Sequence, residues 1–242
     1  MPLPDDEGHR SGAGRARPLA HDWLGLCRRA AHAARDAVSG LTSTAERSVP
    51  HGEGKGGDTT LAVDRAAEDA ILASLSSFGV PLVVVSEERG EVSLNGGDEG
   101  GSVRVVVDPV DGSMNAKRGL PFACVSIAVA SGTRMRDVEV GYVAELDPAR
   151  DWWAVRGAGA FLGGEGAGFA SGARSAGGEG SAGGEGSAGG APSADGVRLA
   201  PLGPGPLEVL GLETARPALV AAAAEAIAGL EARRLRVLGS VA

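Results

Sequence analysis

The sequence predicts a layered α+β/α-β protein, in which helices with one buried face accompany buried strands. Two observations carry this. Apolar residues recur at three- and four-residue steps through Leu24, Cys27, Ala31, Ala34, Val38 and Leu41, and again through Ile71, Leu75 and Phe78, the period of a helix with one buried face. Beyond these stripes lie short Val-rich runs bounded by Gly, Pro and Asp, the pattern of buried strands.

Residues 1–17 are polar and rich in Gly, Pro and Arg, so a disordered tail is expected there. A first helix is expected from Leu19, packing without chemistry. Residues 49–57 read as a Gly- and charge-rich loop containing Lys55. Asp64 is expected to cap the second helix, with Glu68 one turn in, and Gly79 and Pro81 stop it. Residues 82–85 and 103–107 read as strands joined by a Gly- and Asp-rich loop over 90–101. A third strand spans 122–130, after the turn at Gly119 and Pro121. Residues 138–146 and 152–156 alternate around Asp147-Pro148-Ala149-Arg150, a hairpin signal. Residues 18–162 would thus form one α+β domain.

Residues 163–196 are low complexity, with SAGGEG at 175–180 and again at 181–186, and are expected to be a flexible surface insertion. Closure entropy grows slowly with loop length, so such an insertion is tolerable. Residues 197–242 would begin a second α/β domain. A broken strand-like run reaches Leu212, and Pro217 opens a helix with Val220, Ala223, Ile227 and Leu230 on its buried face. A strand follows over 233–238.

Composition narrows the function classes. At 242 residues there is ample length for a core, and the net charge of −8 argues against nucleic-acid binding, which wants a basic face. Cys27 and Cys124 are isolated in apolar patterns and read as buried thiols. His9, His21, His32 and His51 show no ligand spacing. The polar N-terminus gives no sign of a signal peptide, and no apolar run is long enough to span a bilayer. A soluble cytoplasmic protein without membrane partners is the expectation.

The chemistry concentrates in Val105-Val106-Val107-Asp108-Pro109-Val110-Asp111-Gly112-Ser113-Met114-Asn115. An apolar run ends in two carboxylates, expected to leave the sheet at its rim across a tight turn. Strand ends in open sheets are where ligands sit. Two such carboxylates repel unless a cation lies between them, and hard divalent ions prefer oxygen ligands. Alone, Asp-Pro and Asp-Gly would suit any surface turn. Ser86-Glu87-Glu88 tips the balance, because a second Val-rich run also ends in acid. The amides of Gly112 and Ser113 are placed to face an anion if a helix starts there.

The run DPVDGSMNAKRGLPFACVSIAVA, preceded by SEERGE, resembles the inositol monophosphatase family of Mg²⁺-dependent sugar phosphatases, and looks most like the archaeal-type branch that also acts on fructose 1,6-bisphosphate. RGAGAFL over 156–162 matches that family's hairpin end and lacks the Lys-Ser/Thr of a nucleotide phosphate loop. The resemblance implies the sugar-phosphatase fold, an αβαβα sandwich. It implies that Glu87, Asp108 and the Val110 carbonyl hold one Mg²⁺, and that Asp108 and Asp111 hold a second, with Mn²⁺ an alternative and Glu88 a third, weaker contact. It further implies that Asp64 and Ser113 orient the attacking water, and that Asp111, Gly112 and Ser113 meet the phosphate. Lys55 would lie close to the site, and Gly239 and Ser240 would line the alcohol pocket. The substrate would be a small phosphorylated polyol or sugar, inositol 1-phosphate first and fructose 1,6-bisphosphate second; family members commonly form homodimers. In relatives a WDxAAG-type segment adds a third metal carboxylate. None follows Ser113 here, and Asp151-Trp152 has the wrong order and context. The resemblance therefore implies a chain truncated within its C-terminal half, weak or inactive alone, with an apolar face exposed where strands are missing. A non-catalytic remnant is the competing expectation.

Overall fold

The computed structural model describes residues 21–98, 103–164, 196–199, 206, 209–212 and 217–237. Helix α1 (Trp23–Ser39) starts later than expected because Asp22 caps it, its carboxylate accepting the Gly25 amide at 2.9 Å. Its buried face is Trp23, Leu26, Cys27, Ala30, Ala31, Ala34 and Val38, while Leu24 and Leu41 are only partly covered. The row of alanines lets a second long helix approach closely. A single turn, α2 (Thr44–Arg47), follows, closed by a capping box in which Ser43 and Glu46 satisfy each other's amides.

The loop expected over 49–57 is instead largely a hairpin. Strand β1 (Pro50–Glu53) pairs antiparallel with β2 (Thr59–Leu61), every β1 position being exposed. Helix α3 (Ala62–Ser77) begins at Leu61, not at Asp64. Asp64 sits one turn inside, and its Oδ2 accepts the Leu61 amide at 2.8 Å. It still satisfies an orphan donor of the helix start, but from within the helix.

Eight strands form the main sheet, in the order β10-β9-β8-β7-β6-β5-β3-β4. Strand β3 (Leu82–Ser86) runs parallel to β5 (Val103–Asp111), and every other neighbour is antiparallel. Strand β4 (Gly90–Leu94) occupies the edge, in sequence expected to be loop. It alternates half-buried and exposed positions, so it carries no apolar run to announce it. Strand β5 also differs from expectation, continuing through the acidic motif to Asp111. Asp108 pairs with Ser126 and Asp111 with Cys124, so three steps on β5 oppose two on β6, a bulge. Pro109 sits in it, where its missing N–H costs the ladder least. The short helix α4 (Ser113–Arg118) follows at once. Strands β6 (Cys124–Ala130), β7 (Val138–Glu145), β8 (Arg150–Val155), β9 (Gly159–Gly164) and β10 (Val197–Arg198) complete a meander.

One sheet face, with Val84, Val105, Val107, Ile127, Val129 and Tyr142, packs on α1 and α3 as the core. The other carries a register row of Val85, Val106, Ala128, Gly141 and Ala154, and Val106 is 45% exposed there.

A separate pair, β11 (Val209–Leu212) and β12 (Arg234–Val237), is parallel, with α5 (Pro217–Ala222) and α6 (Ala224–Gly229) between. The single helix expected here is broken at Ala223. Its expected buried face is not buried: Ala223 is exposed, Val220 and Ile227 are half-covered, and Leu230 is 54% exposed. Two strands offer too little surface to cover it. The tail over 1–17, most of the insertion, and Gly239 and Ser240 lie outside the described residues.

Candidate active site

Because β3 and β5 are parallel, their C-terminal ends reach the same rim of the sheet. Glu87 and Glu88 follow β3 directly, and the Glu87 amide donates to Val107 O at 3.3 Å, extending the ladder by one residue. The bulge of β5 turns Asp108 and Asp111 toward this point. Gly112, at φ +87°, makes the reversal into α4 that a side chain would strain. Above the rim folds the β1–β2 hairpin. Its Lys55 amide donates to Glu88 O and its Gly56 amide to Glu87 O, each at 3.0 Å.

These elements enclose a cavity of about 550 Å³. Asp64, Glu87, Glu88, Asp108, Val110, Asp111, Gly112 and Ser113, all singled out in the sequence, line it. The Lys55 side chain does not; it packs over Gly90. Sequence reasoning missed three participants. Asp58 and Lys117 share the cavity wall, and buried Thr60 hydrogen-bonds Glu88 from β2. Asp58 and Thr60 flank the Gly-rich tip of the hairpin, which was the available signal. Lys117 stands one helical turn beyond Ser113.

The electrostatics are those of crowded acid. Burial, then the charges of Glu87 and Asp111, push Asp108 up to about 8. Burial also raises Asp64, partly offset by the nearby Ser113 hydroxyl, the Leu61 amide and Lys117. Glu88 is raised by burial, with relief from Thr60 and added repulsion from Asp64 and Glu87. The Asp64 Oδ1 atom is buried and makes no hydrogen bond. The Ser113 hydroxyl beside it donates to Val110 O at 2.9 Å. Ionised carboxylates held this way call for a cation, and the donors are all hard oxygens, the set that suits Mg²⁺ or Mn²⁺. The residues fit such an ion. Among the described residues, however, no three ionisable side chains close on one point as a finished cage.

Asp151 belongs elsewhere. It bonds Arg35 at 2.8 Å and His32 at 2.9 Å on the helical side of the sheet. Both cysteines are buried and neither forms a disulfide; Cys124 Sγ lies 3.8 Å from Asp111 Oδ2, against the back of the site.

Known proteins resemble this chain in sequence and in fold. A sequence model of the inositol monophosphatase family matches residues 22–181. A fructose-1,6-bisphosphatase/inositol-1-monophosphatase of Methanothermobacter thermautotrophicus is 37% identical over 147 residues, covering 58% of this chain and 52% of that protein. A protein of the same name from Archaeoglobus fulgidus is 36% identical over 144 residues, covering 60% and 53%. The Nus factor SuhB of Escherichia coli is 34% identical over 146 residues, covering 60% and 51%. The chain thus spans about half the length of these relatives. Among solved structures, an inositol monophosphatase–fructose 1,6-bisphosphatase superposes with a TM-score of 0.62 at 20% identity, covering 91% of this chain and 69% of that one. Thermotoga maritima IMPase gives 0.59 at 21%, with the same coverage. These establish the sandwich fold. Sequence match and shared fold converge on the stretch that carries α1 through β9, and the chain therefore belongs to the inositol monophosphatase family.

Proposed function

We propose that this chain carries the metal- and phosphate-binding half of a phosphomonoesterase for a small polyol or sugar phosphate. The observation that supports it is the single cavity in which Glu87, Asp108, Asp111, Asp64 and Ser113 meet below the β1–β2 hairpin. Glu87, Asp108 and the Val110 carbonyl would hold one Mg²⁺, and Asp108 with Asp111 a second. Bound there, divalent ions would supply the positive charge that a doubly charged ester needs before it can be attacked.

The chain's own groups do the rest. The amides of Gly112 and Ser113, in the first turn of α4 and without helical acceptors, face phosphate oxygens. Asp64 Oδ1 is the proton acceptor in reach of the Ser113 hydroxyl. When that hydroxyl turns from Val110 O to Asp64, its oxygen is left to accept a hydrogen from the attacking water and so orient it. Asp108 must be ionised to serve, and a cation beside it lowers its pKa from the raised value. Inositol 1-phosphate is the substrate we favour, and fructose 1,6-bisphosphate the second. The names of the archaeal relatives carry both activities.

Calorimetric titration of the chain with Mg²⁺ tests the reading. Saturable binding is expected, lost in Asp108→Asn, whereas a flat titration would sink it. The same flat titration would favour a non-catalytic remnant, a reading supported by the absence of a finished cage among the described residues. Phosphate release from each substrate by a version extended to the length of the relatives, with Asp108→Asn as control, decides the substrate.

A further inference from the structure

Helix α4 has a cavity on each side. Ser113, Met114 and Lys117 face the acidic one. Ala116, Gly119 and Leu120 face a second cavity of about 320 Å³, closed by Val38 and Ser39 of α1, Arg47 of α2, Ala123, Leu146, Arg35 and Asp147. The two guanidiniums differ. Arg35 is neutralised by Asp151 at 2.8 Å. Arg47 is pinned by neutral acceptors only, Leu41 O at 2.7 Å from Nε and Ala116 O at 2.9 Å from Nη1. Among the described residues it has no carboxylate within ion-pair distance. Asp147 lies at the exposed outer end, where water screens its charge. Among the described residues the cavity therefore holds one fixed cation with no carboxylate at ion-pair distance, against an apolar wall of Val38, Ala116, Leu120, Ala123 and Leu146.

We propose that this rear cavity binds a small organic anion, its negative head on Arg47 and its apolar body against Leu120 and Leu146. The volume is at the low end for ligand pockets, so the occupant is small. A guanidinium held rigid by two carbonyls loses little freedom on binding and keeps donors of its fork unspent by those two bonds. The site is independent of the acidic cavity and of the reaction proposed for it.

The test is an amide-resolved NMR titration of the full chain with benzoate, using benzamide as an uncharged match. Saturable shifts at Ala116, Gly119 and Leu120 are expected, with a Kd of about 1 mM. Benzamide should bind roughly tenfold more weakly, because the charged hydrogen bond is gone. Arg47→Gln should abolish saturation. Arg47 also ties α2 to α4, so a second variant guards against misfolding: Leu120→Glu, at a position 52% exposed, places like charge at the mouth and leaves the Arg47 bonds in place. It should weaken benzoate by roughly tenfold as well. Equal binding of benzamide, undiminished binding in Leu120→Glu, or shifts confined to residues 87–111 would each overturn the proposal.

Discussion

Two buried carboxylates show how single residues sustain the scaffold. Glu68 is 1% exposed, accepts the Ser86 hydroxyl at 2.6 Å and pairs with Arg89 Nε at 2.8 Å. It braces α3 against β3 where that strand delivers Glu87. Removing its partner leaves an uncompensated buried charge, so Arg89→Met should cost about 3 kcal/mol in urea unfolding. Asp151 works differently. Burial opposes its charge, but hydrogen bonds from His32 and Arg35 outweigh it, holding the carboxyl below the ordinary value of 3.8. A depressed folded pKa stabilises above the unfolded pKa and is lost as pH falls through the folded one. Wild-type stability should therefore fall on acidification below pH 3.8. Asp151→Asn should be less stable at pH 7 and flatter across that acid limb, as urea midpoints at each pH would show.

At the level of elements, the α1–α3 pair and the β5 bulge do most to place the site. Leu26→Ala and Ile71→Ala each empty a fully buried position and should each cost about 3 kcal/mol. Gly112→Ala forces a Cβ into the left-handed region at φ +87°, costing about 1 kcal/mol. Mg²⁺ affinity should fall with it, because the turn fixes Asp111 and Ser113 relative to Asp108; calorimetry on the variant checks this. What was legible in the sequence follows burial. The α1 and α3 stripes and the Val runs of β3, β5 and β6 pack against something, so composition records them. Strand β1 faces solvent and is polar, and β4 sets only Val92 and Leu94 partly against the core, so both read as loop. Helices α5 and α6 show the converse, an apolar period with nothing among the described residues large enough beside it to bury it. The acids at the strand ends could be read because a strand ending in carboxylate is unusual. Asp58 and Thr60 had only the Gly-rich tip beside them as a signal and Lys117 had none, because only folding of the hairpin and α4 brings them to the cavity.

Across the whole molecule, six of the 31 acidic residues, Asp58, Asp64, Glu87, Glu88, Asp108 and Asp111, line the cavity where β3, β5 and the hairpin meet. A ligand that binds only the folded state raises its stability by mass action, about 2.7 kcal/mol at roughly 100 times Kd. Mg²⁺ should thus raise the melting temperature, EDTA should reverse it, and matched NaCl should do much less. The hairpin over the site is clasped to main-chain oxygens of residues 87 and 88. Peptide carbonyls stay put whatever side chains they carry. Glu87 can therefore be exchanged, by mutation or by an engineer seeking a softer metal, without unfastening the roof above it, whereas exchanging Glu88 also removes its bond to Thr60.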